Sequence, residues 1–187
     1  MYMHMRRIGR LLNAVAQNTY MHTHTNPIYE REMSGIMKIA IGSDHAGFCL
    51  KTEILNYLNS KGYDVKDYGT YSADSCDYPD FGRLVAEAVA GKEVERGIIV
   101  CGTGIGISIA ANKVPGIRAA HCTDTFSAHS CREHNDANIL ALGERITGVG
   151  VALEIVENFL TAEFLGGRHG NRVDKITEIE IKYSKFI

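Results

Sequence analysis

Short apolar runs alternate with longer amphipathic stretches along most of the chain, starting at Lys38. The apolar runs are rich in β-branched residues and predict five strands, at Lys38 to Ser43, Asp64 to Tyr68, Gly97 to Cys101, Ile117 to His121 and Asn138 to Leu142. The amphipathic stretches predict four helices between these strands, at Phe48 to Lys61, Tyr78 to Ala90, Ile105 to Lys113 and Asp124 to Glu133, and two after the last strand, at Thr147 to Leu165 and Val173 to Tyr183. This alternation is typical of βαβ units, so the sequence predicts an α/β fold with a parallel sheet.

Residues 1–36 do not follow this pattern and show no clear apolar periodicity beyond Ile8 to Val15. We therefore predict an N-terminal extension, disordered or weakly structured, followed by one folded domain over residues 37–187. Three arginines precede the first acidic residue, Glu30, as in organelle transit peptides. An unused upstream start or a solvated tail explains this composition at least as well.

Composition narrows the class of protein. The chain has 187 residues, of which 45% are hydrophobic and 22% charged, which suits one globular domain. A net charge of −2 gives no electrostatic reason to expect nucleic acid or an anionic membrane as a partner. The five cysteines are odd in number and contain no C-x-x-C pair, which indicates a reducing compartment and favours the cytoplasm.

The segment Gly97 to Lys113 carries the strongest chemical signal. A predicted buried strand ends at Cys101, and glycines follow at positions 102, 104 and 106, just where the next helix begins. Such glycines let the backbone turn tightly and approach a ligand, and a helix N-terminus attracts anions. The same positive end favours the thiolate of Cys101, the form that acts as a base or nucleophile.

Other readings of this loop are weaker. A Walker-type loop needs Gly-Lys-Ser/Thr at its end, but Gly106 is followed by Ile107 and Ser108. A dinucleotide-binding fingerprint would place its third glycine at Ile107, although Asp124 lies at a plausible spacing for a ribose contact. A tight turn with a buried structural cysteine is the remaining alternative.

Further reactive side chains follow the predicted strands. Asp44 and His45 come after the first strand, Cys101 ends the third, and His121 and Asp124 lie at the end of the fourth. Ligands of parallel sheets bind beyond the carboxyl ends of the strands, so these residues predict one site at that edge. Alone, Asp44 is as readily a helix N-cap as a catalytic group.

The end of the fourth predicted helix supplies His134. A helix C-terminus favours a protonated imidazole, so His134 is a candidate general acid, with simple capping as the alternative. Cys131, Cys122 and His129 lie nearby and raise the question of zinc. Their irregular spacing and helical location argue against a zinc site.

Two arginines, Arg168 and Arg172, are four residues apart where the last helix is approached. This spacing places them on one helical face, where they could grip a phosphate through paired charge-assisted hydrogen bonds. Together with an anion-binding loop they predict a phosphorylated ligand.

Five motifs give the chain a specific resemblance. They are IGSDHAGF at 41–48, DYPDFG at 77–82, CGTGIGISIAANK at 101–113, HNDAN at 134–138 and GGRHGNR at 166–172. From Met37 to the C-terminus the chain resembles type B ribose-5-phosphate isomerases. The resemblance implies a three-layer Rossmann-like fold, with a five-stranded parallel sheet and helices on both faces. It also implies homodimers or homotetramers with active sites shared between subunits.

The resemblance assigns roles to individual residues. It implies that Cys101 is the base that moves the proton between C1 and C2, and that His134 helps to open the sugar ring. The enediolate oxygens would be held by Gly102, Thr103, Gly104, Ile105 and Gly106, with Thr103 near the ring oxygens. The remaining substrate contacts would come from Asp44, His45, Tyr78, Asn135, Arg145, Arg168 and Arg172. The arginines would hold the phosphate, and no metal or cofactor is required.

We therefore predict an aldose–ketose isomerase that interconverts ribose 5-phosphate and ribulose 5-phosphate in the non-oxidative pentose phosphate pathway. Such a reaction needs a base at carbon, donors for the developing oxyanion and a remote anchor. A galactose-6-phosphate or allose-6-phosphate isomerase is the near alternative. A non-catalytic sugar-phosphate or nucleotide-binding module is the alternative of another class, and it would have no need of both Cys101 and His134.

Overall fold

A computed structural model of the protein describes residues 35–184. The chain divides into two units between Ile36 and Met37, the position at which the sequence predicts the folded domain to begin. Nearly all of the predicted extension lies outside the described residues, so its character stays a prediction.

Each predicted strand and helix is present. The strands are β1 (Lys38–Ser43), β2 (Asp64–Asp67), β3 (Arg96–Cys101), β4 (Ala119–His121) and β5 (Ile139–Gly143). The helices are α1 (Phe48–Ser60), α2 (Tyr78–Ala90), α3 (Ile105–Ala111), α4 (Thr125–Asn135), α5 (Val149–Thr161) and α6 (Arg168–Ser184). A 3-10 turn, His45–Gly47, joins β1 to α1. None of the helices within residues 35–184 is both long and apolar enough to cross a membrane.

The largest difference from the predicted bounds is at the junction of α5 and α6. Helix α5 ends at Thr161, because Ala162 is extended and begins a short loop. Gly166 and Gly167 then adopt φ values of +62° and +54°, a left-handed conformation that glycine adopts without strain. This turn lets α6 begin at Arg168, five residues earlier than Val173, so the arginine pair lies in the helix itself.

The five strands are all parallel and lie in the order β2-β1-β3-β5-β4. The central strand is apolar throughout, and Ile98, Ile99 and Val100 are completely buried. One face of the sheet is covered by α1, α4 and α5, and the other by α2 and α3. The predicted three-layer α/β fold is therefore confirmed, with each face of the sheet closed by its own apolar cluster.

Two consequences of this topology position the functional residues. The chain leaves β1 toward β2 on one side and later enters β3 on the other, so a crevice is expected between the carboxyl ends of β1 and β3. Helix α4 runs back against the strand direction, so its last turn lies at the opposite end of the sheet. We call these two ends the carboxyl edge and the amino edge.

A buried ion pair holds the segment that leads from β2 to α2. The side chain of Lys51 is 2% exposed, and its Nζ lies 2.7 Å from both carboxylate oxygens of Asp67. Asp67 also accepts a hydrogen bond from the amide of Gly69 at 2.9 Å. These contacts fix the start of the loop that carries Cys76 to the carboxyl edge.

Candidate active site

Cys101 lies where β3 meets the glycine-rich loop. It is 4% exposed, and the amide of Gly104 donates a hydrogen bond to its Sγ at 3.1 Å. Gly104 has φ of +79° and is the N-cap of α3. The left-handed glycine therefore turns the chain so that a backbone donor faces the sulfur, which is the arrangement that the sequence predicts.

Two of the loop glycines are in contact with polar side chains from other elements. A methyl group added at Gly106 would lie 2.7 Å from Cζ of Tyr78. One added at Gly102 would lie 3.5 Å from Nε of Arg145. Any larger residue at Gly106 would displace the tyrosine ring, so glycine is required there by close approach rather than by backbone conformation.

The third loop glycine is covered by His121, at the end of β4. A methyl group at Gly104 would lie 2.5 Å from Cδ2 of this imidazole. Its Nε2 is buried and has no hydrogen-bond partner within residues 35–184. The sequence indicated His121 as a residue of this edge, and the structure shows it supporting the loop from β4.

Asp44 and its neighbours complete the crevice between β1 and β3. Asp44 is 5% exposed, and its Oδ1 accepts a hydrogen bond from the amide of Ala46 at 3.0 Å. Burial raises the pKa of Asp44, while the Ala46 amide, His45, Gly47 and Arg145 oppose the rise. The residue is therefore both the cap of the turn and a buried acid whose charge is costly.

His45 is oriented by the backbone of Cys76. Its Nδ1 lies 3.1 Å from the carbonyl oxygen of Cys76 and 3.2 Å from the Cys76 amide nitrogen. Either tautomer therefore uses Nδ1 for this contact. The other ring nitrogen, Nε2, makes no hydrogen bond within residues 35–184 and is available to a ligand.

We call the residues that meet here the carboxyl-edge group. Its members are Asp44, His45, Tyr78, Cys101, Gly102, Thr103, Gly104, Ile105, Gly106 and Arg145. They come from the end of β3 and from the segments that follow β1, β2, β3 and β5, and they include Asp44, His45 and Cys101, which the sequence places at this edge.

The other predicted residues form a separate amino-edge group, which consists of His134, Asn135, Arg168 and Arg172. His134 and Asn135 are in the last turn of α4, and the arginines are in the first turns of α6. The loop before α6 is tied to α4 by a hydrogen bond from the Leu165 amide to the carbonyl of Glu133 at 3.1 Å. The two helix ends therefore lie side by side.

The two groups do not meet within one chain. Cys101 pairs with Gly143 at the carboxyl edge, whereas the amide of Gly97 bonds the carbonyl of Asn138 at the amino edge. Four residues of extended strand separate these levels, a distance of roughly 13 Å. Within one protomer the arginines of α6 therefore lie at the opposite end of the sheet from the Cys101 loop.

One residue of the amino edge was not singled out from the sequence. His169 is 6% exposed, and its ring stacks on that of His134 with centroids 4.3 Å apart and planes 7° apart. The available signal was its place between the two arginines of GGRHGNR. The stack itself depends on how α6 crosses α4, which the sequence pattern does not reveal.

Other sequence candidates have structural roles. Asp124 caps α4, with Oδ1 accepting from the Ser127 amide at 2.7 Å, and this bond lowers the pKa of Asp124. The Sγ atoms of Cys122 and Cys131 lie 3.9 Å apart in the core. Within residues 35–184 no three His, Cys, Asp or Glu side chains are grouped so that they could hold a metal ion.

A cavity of about 600 Å³ lies at the amino edge, between α6 and the segments around β4. Its wall includes Asn135, with Ile117, Ile176 and Ile179 as apolar neighbours. It does not include Cys101. No member of the carboxyl-edge group lines this cavity.

Comparison with known proteins gives a consistent result. The chain is 53% identical over 143 residues to ribose-5-phosphate isomerase B of Escherichia coli (strain K12), covering 76% of this chain and 96% of that protein. It is 46% identical over 142 residues to D-erythrulose-4-phosphate isomerase of Pectobacterium atrosepticum, covering 75% and 93% respectively.

A solved structure of ribose-5-phosphate isomerase B from Clostridium thermocellum superposes with a TM-score of 0.78 and 64% identity, over 79% of this chain and 99% of that one. The family model described as Ribose/Galactose Isomerase matches residues 39–176, which include every element from β1 into α6. The chain therefore belongs to the ribose/galactose isomerase family.

Proposed function

We propose that the protein is an isomerase that interconverts ribose 5-phosphate and ribulose 5-phosphate. The observation that carries this proposal is the Cys101 thiol, held at 3.1 Å by the Gly104 amide inside a glycine-rich loop. Buried Asp44 and the cation Arg145 lie beside that loop. Identities of 53% and 64% to two ribose-5-phosphate isomerases B support the choice of substrate.

The reaction requires one proton to move between neighbouring carbons. Cys101, as the thiolate, takes the C2 proton of the open-chain aldose, and the C–H electrons form the C1–C2 double bond of an enediolate. The negative charge develops on O1, where amide donors of residues 102–106 stabilise it. A proton passes from O2 to O1, and Cys101 returns its own proton to C1, which gives the ketose.

The rest of the carboxyl-edge group binds and orients the sugar. Asp44 and the free Nε2 of His45 contact hydroxyl or phosphate oxygens, and Tyr78 closes the wall over Gly106. Arg145 adds a positive charge at Gly102. Fixing the reacting carbons in this way supplies much of the rate acceleration of such enzymes.

The amino-edge group supplies ring opening and the phosphate anchor. His134 protonates the ring oxygen of the furanose, while Asn135, Arg168 and Arg172 hold the sugar phosphate. Because this group lies at the other end of the sheet, we infer that it serves the carboxyl-edge group of a second copy. In a dimer with two-fold symmetry, the carboxyl edge of each copy would meet the amino edge of the other. The dimer would then contain two complete sites.

Exposed apolar side chains at the carboxyl edge support a partner there. Ile105, Phe126 and Ile146 are 53%, 79% and 57% exposed, and each lies just after the carboxyl end of a strand. Apolar side chains gathered at one edge are typical of an interaction surface. A homodimer, alone or as half of a tetramer, is the assembly that this arrangement favours.

Subunit mixing tests the shared site. We expect Cys101→Ala and His134→Asn proteins each to be nearly inactive on ribose 5-phosphate. Mixed dimers formed by joint refolding should recover about a quarter of wild-type activity, since half the dimers are mixed and one of their two sites is intact. Two jointly refolded samples of the same variant serve as controls. No recovery, with mixed dimers shown by native mass spectrometry, would contradict a shared site.

A substrate panel tests the choice of sugar. The relative named D-erythrulose-4-phosphate isomerase makes a tetrose phosphate a second candidate, beside galactose 6-phosphate and allose 6-phosphate. We expect kcat/KM to be highest for ribose 5-phosphate and unchanged by EDTA. A higher value for another sugar would reassign the substrate, and no turnover of any sugar would favour a binding module.

We also propose a cytoplasmic location, which cell fractionation would test.

A further inference from the structure

The stacked pair of histidines at the amino edge is not explained by the chemistry above. The ring of His169 lies parallel to that of His134, with centroids 4.3 Å apart, and it is almost completely buried. Its backbone is fixed by a hydrogen bond from its amide to the carbonyl of Gly166 at 3.0 Å. The buried imidazole of His169 therefore packs flat against the imidazole of His134, the residue to which we assign ring opening.

The surroundings of His169 keep its ring neutral. Burial lowers the pKa of His169, and His134, Arg168 and Arg172 lower it further, with Glu133 opposing them. The Nε–H of Arg168 points at Nε2 of His169 across 3.4 Å, a contact that a protonated Nε2 could not accept. Because its pKa is lowered, His169 binds a proton at a lower pH than an ordinary histidine does.

His134 has a different environment from its stacking partner. Its side chain is 42% exposed, and its Nε2 lies 3.9 Å from Oε2 of Glu133. The other carboxylate oxygen of Glu133, Oε1, lies 3.2 Å from Nε2 of His129. The other charges at this end of α4 are paired, with Asp136 bound by Arg132 at 2.7 Å and by Arg118 at 2.8 Å. Of the two stacked rings, the outer one is therefore open to solvent and faces a carboxylate.

We propose that His169 is a positioning residue for ring opening: its neutral ring fixes the plane of the His134 imidazole and leaves that imidazole free to carry the proton for the ring oxygen. Two stacked imidazolium ions would repel, so a neutral inner ring is a condition for a charged outer ring. This inference rests on the proposed function. It assigns to His169 no contact with the substrate.

Ring chemistry and carbon chemistry can be measured separately. Ribose 5-phosphate must open its furanose ring, whereas ribulose 5-phosphate cannot form a furanose because O5 carries the phosphate. Exchange of the C1 proton of ribulose 5-phosphate with D₂O, followed by NMR, therefore reports on Cys101 without ring opening. Conversion of ribose 5-phosphate reports on both steps.

Three substitutions separate the roles of the ring. His169→Ala removes the ring that packs against His134 and should lower kcat for ribose 5-phosphate about tenfold, with KM and the exchange rate within about twofold of wild type. His169→Phe keeps a flat neutral ring and should restore kcat. His169→Arg keeps a flat group but adds a charge, and its remaining activity should shift to lower pH. Asn171→Ala, an exposed change in the same helical turn, is the matched control.

Several results would contradict the positioning role of His169. A His169→Ala protein that loses exchange and isomerisation equally, or that changes KM alone, would overturn the positioning role. So would a His169→Phe protein that melts normally but is as slow as His169→Ala, or a His169→Arg protein with a wild-type pH profile. If His169→Ala does not fold, the Phe and Arg variants decide by the same criteria. Wild-type protein inactive in both assays would instead contradict the proposed function itself.

Discussion

The two edges of the sheet carry different kinds of functional group. At the carboxyl edge Cys101 and Asp44 are buried, 4% and 5% exposed, and are held by backbone amides. At the amino edge His134 is 42% exposed, and Arg168 and Arg172 are exposed in the first turns of α6. The carboxyl edge, which is buried, has groups that can move a proton at carbon. The amino edge, which is open to solvent, has groups that can recognise a charged, cyclic substrate.

The two edges also differ in how firmly one chain fixes their functional groups. Backbone amides in a tight loop are fixed by the fold of one chain, so the carboxyl-edge group is preorganised without a partner. Long arginine side chains at helix ends gain a fixed geometry only when a ligand or another surface meets them. In the shared site that we propose, each protomer supplies one half from its carboxyl edge and the other half from its amino edge.

The largest effect is expected at the buried edge. Cys101→Ala removes the group that we assign to proton transfer and should lower kcat by about 10²–10⁴-fold, with little change in melting temperature. Cys49→Ala is the matched control, because Cys49 is an exposed free cysteine on α1 and should leave kcat unchanged. Steady-state kinetics on ribose 5-phosphate measures both. Activity of Cys101→Ala within a few-fold of wild type would remove the base from the mechanism.

Much of the buried edge could be predicted from the sequence. The bounds of β1 and α2 are as predicted, and Asp44 and Cys101 meet because parallel strands present their carboxyl ends together. The separation of His134 from Cys101 follows from the same rule, since a helix between parallel strands returns to the amino edge. Before the structure, a site divided between two subunits was only an implication of the family resemblance. The stack on His169 depends on side-chain packing between α4 and α6, for which no local pattern exists.

A smaller effect is expected at the open edge. Arg172→Ala should raise KM for ribose 5-phosphate about 10–100-fold, the loss of a charge-assisted hydrogen bond, with a smaller change in kcat. Lys175→Ala removes an exposed charge from the same helix and should change KM little. Initial rates over a range of substrate concentrations distinguish the two variants. Equal KM values would place the phosphate away from α6.

The burial of Asp44 at the carboxyl edge should make the stability of the fold depend on pH. Because the pKa of Asp44 is raised in the folded state, the fold binds this proton more tightly than the unfolded chain does. The contribution of Asp44 to stability therefore falls as pH rises from its unfolded pKa through its folded pKa. Asp44→Asn keeps an acceptor for the Ala46 amide and should melt at a higher temperature than wild type at neutral pH.

The difference in melting temperature between Asp44→Asn and wild type should shrink as pH falls through the folded pKa of Asp44, because the wild-type carboxyl becomes neutral there. Thermal melts at several pH values measure this convergence. Activity of the variant should fall at the same time, because the amide cannot replace the carboxylate at the sugar. A stability difference that is the same at all pH values would show that the charge of Asp44 is not what costs stability.

The smallest effect is expected from removing the predicted extension. Both edges are built from residues that follow Met37, whose carbonyl accepts a hydrogen bond from the Asp64 amide at 3.2 Å at the start of the β1–β2 pairing. A chain that begins at Met37 keeps this bond, so its melting temperature and kcat/KM should match those of the full chain. A chain cut after Ile41 is the matched control. It loses most of β1 and the completely buried side chains of Ile39 and Ile41, and it should not fold. A Met37 start that unfolds or loses activity would mean that the two edges depend on residues 1–36.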